Sequence, residues 1–354
     1  MSKKFAGCMP LALALATCAA HAESGVRVSG YLDVSMERID TGRGMLTRQS
    51  SGQLNQSRLN FQGVEDLGGG NAAVFDLQMP FSPDTGAGSS NGLFSRTATL
   101  GLTSKALGTL KVGRMQSLSD ETIASFWALR WGASTNYFLY YGNTTQLLSN
   151  AIRYETPDMR GLVLSVEYAV DEHNGSGRAV EGQARYQYDK WKVNGAYYVS
   201  HGHEFVEPGS SVHIGTFGTS YDFGFATPSL MVQDTRTHDA VVNRTSKISV
   251  ALSATVPVGR NALWLDYGIL HNRVLANANA RAASVRFDYN LSKRTFLYAG
   301  LAQVWNDAKA YYQPMGASGS YPVFTSATGV STGFDPVYNG GDVRSLIAGI
   351  RMAF

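Results

Sequence analysis

Beyond residue 22 the chain has no cysteine, because both of its thiols, Cys8 and Cys18, lie in the opening segment. A domain stapled by disulfides is therefore excluded from residues 23–354. Charge is scarce as well. Charged residues make up 16% of the chain, where a soluble globular protein carries roughly a quarter. Without Lys3 and Lys4 the 30 basic residues fall to 28, against 27 acidic. So even a balance gives nucleic acid nothing to bind. No stretch after residue 22 approaches the ~18 consecutive apolar residues of a membrane-spanning helix. Gly68-Gly69-Gly70 is followed by neither a helical pattern nor a lysine, so it is a turn rather than a phosphate loop. No motif calls for a cofactor or a metal.

What the sequence does have begins at its N-terminus. Met1–Ala22 opens with Lys3 and Lys4, runs through apolar residues from Met9 to Ala16, and ends in Ala20-His21-Ala22. This is the layout of a cleaved export signal, so the expected division is residues 1–22 as signal peptide and 23–354 as the mature domain. A lipoprotein signal at Leu15-Ala16-Thr17-Cys18 is the second reading, weakened by Thr17 directly before the cysteine. An exported, helix-free chain with 18 Tyr, 16 Phe and 38 Gly fits a membrane-spanning β-barrel, in which only alternate residues meet lipid.

Alternation supports that class. In Ser246–Pro257, Ile248, Val250, Leu252, Ala254 and Val256 share one face, and Lys247, Ser249, Ser253 and Thr255 the other. Leu59 and Phe61 oppose Arg58, Asn60 and Gln62; Val285, Phe287 and Tyr289 oppose Ser284, Arg286 and Asp288. The same parity turns Arg27, Arg153, Arg185, Lys192 and Arg351 inward, together with acids such as Asp33, Glu37, Asp76, Glu155, Glu167 and Glu181. Short turns near residues 65–71, 104–107, 156–161, 189–190, 224, 258–261 and 290–294 alternate with long loops, the first spanning 38–56, the third 116–149 and the last 309–343. That spacing predicts sixteen antiparallel strands, or eighteen if a long loop hides a hairpin. Tyr188, Trp191, Tyr221, Phe223, Phe225, Tyr289 and Phe296 gather at the short turns, as an interfacial aromatic girdle would. A soluble sandwich shares the period but gives those rings no reason to collect at one end. Leu346, Ala348, Ile350, Met352 and Phe354 share the last face, so a final strand reaches the terminal residue.

Several stretches then match a family. Val26-Arg27-Val28-Ser29-Gly30-Tyr31-Leu32-Asp33, Ser57-Arg58 with Glu65-Asp66-Leu67-Gly68-Gly69-Gly70, Leu93-Phe94-Ser95-Arg96, Val112-Gly113-Arg114, Arg153-Tyr154-Glu155-Thr156-Pro157 and Leu291-Ser292-Lys293-Arg294-Thr295 occur in this order. With the terminal Phe354, the chain resembles the Gram-negative general porins of the neisserial and betaproteobacterial type along nearly its whole mature length. The resemblance implies a homotrimer of 16-stranded barrels in outer-membrane lipid, with Phe354 as the C-terminal strand signal read by the outer-membrane insertion machinery. It also implies passive diffusion of ions and small hydrophilic solutes past a third loop folded into the lumen. Arg58, Arg114 and Arg153 match the family's wall arginines at the constriction, and Arg96 matches its motif. Arg96 shares the parity of Leu100 and Leu102, which would aim it at lipid unless a bulge intervenes.

The third loop departs from the family's short acidic-aromatic stretch. It holds Asp120 and Glu121, then Phe126, Trp127, Trp131, Tyr137, Phe138, Tyr140 and Tyr141. Asp120 and Glu121 facing the wall arginines would set a field across the pore, and unopposed arginines would favour anions weakly. The aromatic run allows a substrate-selective stacking surface, although packing is the commoner use of such rings. An enzyme reading rests on His201, His203 and Glu204 with His213, a set lacking a third spaced ligand or a partnered serine. An adhesin reading rests on the long last loop, as an addition to a channel.

Overall fold

A computed structural model of the protein describes residues 25–89, 91–126, 147–171, 177–201, 211–238, 246–314 and 339–354. In chain order the strands are β1 (Gly25–Asp40), β2 (Met45–Ser51), β3 (Arg58–Gly68), β4 (Asn71–Ser82), β5 (Ala87–Gly88), β6 (Thr97–Ser104), β7 (Gly108–Gln116), β8 (Leu147–Glu155) and β9 (Leu162–Ala169). They continue as β10 (Arg178–Tyr188), β11 (Trp191–His201), β12 (Ser211–Tyr221), β13 (Thr227–His238), β14 (Lys247–Val258), β15 (Asn261–Asn272), β16 (Ala280–Asn290), β17 (Thr295–Asn306) and β18 (Val343–Ala353). A helix, α1 (Leu118–Phe126), follows β7.

Neighbours in sequence pair antiparallel around the ring, and β1 closes it against β18 from Tyr31 opposite Ala353 to Asp40 opposite Arg344. Closure leaves no strand edge unpaired within the hydrocarbon, where an unsatisfied peptide group costs several kcal/mol. The wall is a 16-strand barrel with two extra strands, β2 and β5. The expected turns hold: Asp189 and Lys190 join β10 to β11, and residues 291–294 join β16 to β17. The burial pattern is inverted relative to a soluble protein. Leu252 is 59% exposed while the next residue, Ser253, is 6% exposed, so the apolar face of β14 looks away from the lumen. A bilayer accepts that face without cost, whereas water would not.

The first loop differs from expectation. Residues 38–56 read as one long connection, yet β1 runs to Asp40 and β2 returns alongside it, with Glu37 opposite Arg48. Arg48 donates to Glu37 across the two strands at 3.0 Å. The alternation continues there in polar residues, a signal that hydropathy misses above the lipid. Both β2 and β3 pair with β1, one with its upper and one with its lower half. They are one wall strand interrupted by Gly52–Ser57, which leaves the ladder between the Val34–Ser51 and Tyr31–Arg58 pairs.

The girdle is present on the described residues. Trp191 meets Tyr221 at 4.9 Å between ring centroids, Tyr221 meets Phe223 at 4.7 Å, and Phe223 meets Phe225 at 5.8 Å. All of them sit at the short-turn end.

Candidate functional site

Two segments fold inside the barrel. The first is α1, and its start is written in sequence. Ser117 caps it, accepting from the Asp120 backbone N–H at 3.1 Å, and Asp120 and Glu121 complement the positive end of the helix dipole. The wall then fixes it. Glu181 accepts from the Ser119 backbone N–H at 2.7 Å. Gln183 donates to the Leu118 carbonyl at 2.8 Å and to the Thr122 hydroxyl at 2.9 Å. Arg153 donates to Glu121 at 2.6 Å, and also to Glu167 and to the Gln116 carbonyl. At the far end Ser229 donates to the Phe126 carbonyl, and the Phe126 ring lies where a side chain at Gly218 would stand. Ile123 and Phe126 pack with Met231, Ala251 and Leu270 from the wall.

The second segment is Gly52–Ser57, held by Asp33. That buried carboxylate accepts from the backbone N–H of Leu54 at 2.5 Å and of Asn55 at 2.7 Å, and from the Tyr298 hydroxyl at 2.6 Å. The Ser57 hydroxyl accepts from the Asp33 backbone N–H at 3.0 Å. Leu54 is buried against Tyr298 and Ile347. Tyr298 reaches this position because Gly349 carries no side chain where its ring passes.

Between the two segments lies a cavity of about 620 Å³. Leu54, Asn55 and Gln56 border it on one side and Ala124, Ser125 and Phe126 on another. Among the described residues its basic lining is Arg58, Arg96, Lys192, Arg286 and Arg351, and its acidic lining is Asp288. Asp288 is already chelated by Arg286, at 2.8 and 3.0 Å. Aromatic faces hold the guanidinium groups: Arg58 lies 4.5 Å and Arg351 4.4 Å from the centroid of Tyr31, and Arg286 lies 4.9 Å from that of Trp264.

The residues singled out in sequence fall into three groups. Arg58 and Arg96 meet at the cavity. Arg96 donates to Gln78 and to Gln56, both at 3.1 Å. It precedes β6, so the outward parity of Leu100 and Leu102 does not govern it. Arg153, Asp120 and Glu121 form the root of α1 instead. Arg153 and Asp120 are 4% and 1% exposed, and Glu121 is engaged by Arg153. Asp120 is turned into the wall at the start of the helix, and Glu121, 29% exposed, is paired to Arg153 there. Arg114 stands apart from both. It is opposite Ala98, on the side of the sheet that carries Leu100 and Leu102, and donates to the Ser95 carbonyl and the Ser149 hydroxyl. A bulge between Gly113 and Met115, with Asn150 in the left-handed region, re-aims the strand here. Of the loop-three aromatics, Phe126 packs inside the barrel, while Trp127, Trp131, Tyr137, Phe138, Tyr140 and Tyr141 lie outside the described residues.

Parity alone had turned Lys192, Arg286 and Arg351 inward. It could not show that they share one level, because alternation records the face of a strand and not its height along the axis. Trp264 had no signal of its own. Among the described residues no group of His, Cys, Asp and Glu is arranged to hold a metal. His213 contacts Tyr197 at 3.1 Å and His238 ring to ring at 5.0 Å, and His203 and Glu204 lie outside the described residues.

A family model described as Gram-negative porin matches residues 11–309. The chain belongs to the Gram-negative porin family. Outer membrane porin protein 32 of Delftia acidovorans is 28% identical to this porin over 91% of its chain and 97% of the relative. The major outer membrane protein P.IB of Neisseria meningitidis is 26% identical over 68% and 73%. An anion-selective porin from Comamonas acidovorans shares the fold at a TM-score of 0.77 and 24% identity, over 94% of this chain and 100% of that one. This porin is an outer-membrane channel through which small solutes diffuse passively.

Proposed function

We propose that the channel prefers anions, and that its constriction is the cavity between α1 and Gly52–Ser57. One observation carries this reading: among the described residues five basic side chains line the cavity against one carboxylate, itself neutralised by Arg286. A pore selects by its narrowest ring and the sign of charge there. Arginine suits that ring because it keeps its charge and holds it on a planar, oriented group. Arg58 and Arg96 are the constriction arginines in this reading. Arg153, Asp120 and Glu121 anchor the loop that narrows the pore, and Arg114 braces the wall from outside it. The anion selectivity named for the Comamonas relative supports the sign.

Reversal potential across a salt gradient tests the reading. The wild type should reverse on the anion side, and Arg58→Ala should move the potential toward the cation side. A wild-type channel reversing on the cation side would overturn the assignment, and an unmoved Arg58→Ala would remove Arg58 from the permeant path.

The homotrimer, insertion by the outer-membrane machinery through a strand ending in Phe354, removal of residues 1–22 and the absence of an enzymatic activity belong to the same proposal, on the resemblance to the family. Intact mass of the protein from outer membranes, beginning at Glu23, is the outcome expected for the cleavage.

A further inference from the structure

On the lipid-facing side of β10–β16 the side chains change character twice between the short turns and the long loops. Trp191, Tyr221 and Phe223 stand at the short-turn end, and Phe217, Leu252 and Ile269 in the middle. Nearest the long loops the outward residues become basic. Arg178 of β10 lies directly opposite His201 of β11, and His213 of β12 opposite Arg236 of β13. His213 meets His238 at 5.0 Å between ring centroids, and β15 contributes His271 with Arg273 just beyond it. Among the described residues Asp234 is the one acid in this band, already shared by Arg236 at 3.0 Å and by Arg273. Arg236, His238 and Arg273 border a cavity of about 400 Å³ at the rim. The height of the band is set by the strands. β11 runs 11 residues from Trp191 to His201. At about 3.3 Å per residue and a tilt of about 40°, it rises roughly 25 Å, the height of the hydrocarbon layer around such barrels. The band therefore stands where hydrocarbon gives way to headgroups, on the long-loop side that faces outward in barrels of this class.

We propose that this band is a docking surface for the phosphate groups of outer-leaflet lipid, and that its histidines tighten the contact in acid. Charge complementarity and level carry the assignment. The aromatic girdle on β11 and β12 marks this sector as lipid-facing, and phosphate is the anion that lipid presents at headgroup height. Arg236 and Arg273 keep their charge at every working pH. The four imidazoles gain theirs as pH falls through about 6.5. His213 is faced by Tyr197 and His201 from β11 and by Arg236 and His238 from β13. Arg178 faces His201, β14 sets the uncharged Ile248 between Asp234 and His271, and Arg281 of β16 lies opposite Ile269, one outward position below His271. Protonated imidazoles in such company repel their neighbours, and an anion among them removes that repulsion. Bound phosphate thus favours the charged imidazoles, so by linkage the contact strengthens as pH falls and weakens as pH rises. The surface lies outside the barrel and is independent of the selectivity assigned to its lumen.

The test follows dye-labelled phosphatidylglycerol, whose phosphodiester keeps its negative charge from pH 5.5 to 7.5, as it binds the full-length protein in neutral detergent micelles. Phosphatidylcholine with the same dye is the control. The half-saturating concentration of phosphatidylglycerol should fall roughly five- to thirtyfold from pH 7.5 to 5.5, one to two added charges at about fivefold each. Phosphatidylcholine should bind more weakly and show no such change. Replacing His213→Gln and His238→Gln together should shrink the pH effect roughly threefold or more and leave binding at pH 7.5 unaltered. Arg236→Gln should weaken binding roughly fivefold at both pH values. Single-channel conductance, set inside the barrel, checks that each variant is folded. Where the double variant does not fold, His201→Gln supplies the pH readout. Equal binding of the two lipids, a pH effect that survives the histidine replacements, or displacement of the lipid by an equal concentration of inorganic phosphate overturns the docking surface. A changed oligomeric state of Arg236→Gln on native gels overturns it as well, because the band would then be a seam between copies of the chain.

Discussion

A single carboxylate carries much of the local order. Asp33 gathers two backbone N–H groups of Gly52–Ser57 and the Tyr298 hydroxyl, three donors from two distant parts of the chain. A bond to an ionised acceptor contributes about 1.5–3 kcal/mol, and its loss leaves buried donors without partners. Asp33→Ala should therefore destabilise the barrel by about 3–5 kcal/mol. Urea unfolding of the detergent-solubilised protein would read this as a lowered midpoint, and an unchanged midpoint would show that the segment holds its place without Asp33. Parity turned Asp33 inward as one lumen acid among several. Its partners are backbone groups on a segment that leaves the ladder, and side-chain alternation carries no record of those.

At the level of elements, α1 is a helix placed by the wall. Gly218 leaves the space that the Phe126 ring fills. Gly218→Val should displace the end of α1 into the lumen, at a cost of about 1–3 kcal/mol for overpacking, and lower the single-channel conductance. Conductance equal to the wild type would mean that Phe126 does not hold the helix there. Arg153→Met attacks the opposite end, leaving Glu121 and Glu167 without their shared guanidinium. Breaking a buried ion pair from one side costs about 3–5 kcal/mol. Thermal unfolding should shift downward and open-channel current noise should rise as α1 loosens; a quiet channel of unchanged stability would contradict the anchoring role. The strands were legible because each alternates, and the turns because Gly and Asn-rich steps sit between them. The helix escaped because Asp120 and Glu121 read more readily as pore charges than as the dipole partners of a helix capped by Ser117. The inward Gly52–Ser57 escaped because it interrupts a strand within what reads as one outer loop.

For the whole molecule, the inverted surface and the charged lumen are one arrangement. Apolar side chains such as Val26, 68% exposed, and Leu252 turn outward, so the polar half of every strand is left to the interior, and water must fill it. Charge held in that interior acts on ions over the screening distance of the salt present. The Debye length is about 10 Å at 0.1 M and about 3 Å at 1 M. At the lower salt the fields of Arg58, Arg96, Lys192, Arg286 and Arg351 overlap across the cavity, and at the higher salt each reaches little beyond its own first shell. The ratio of anion to cation permeability should therefore fall as salt rises from 0.1 to 1 M in both compartments at a fixed concentration ratio. A ratio independent of salt would assign selectivity to the width of the passage between α1 and Gly52–Ser57, since a steric limit does not respond to screening.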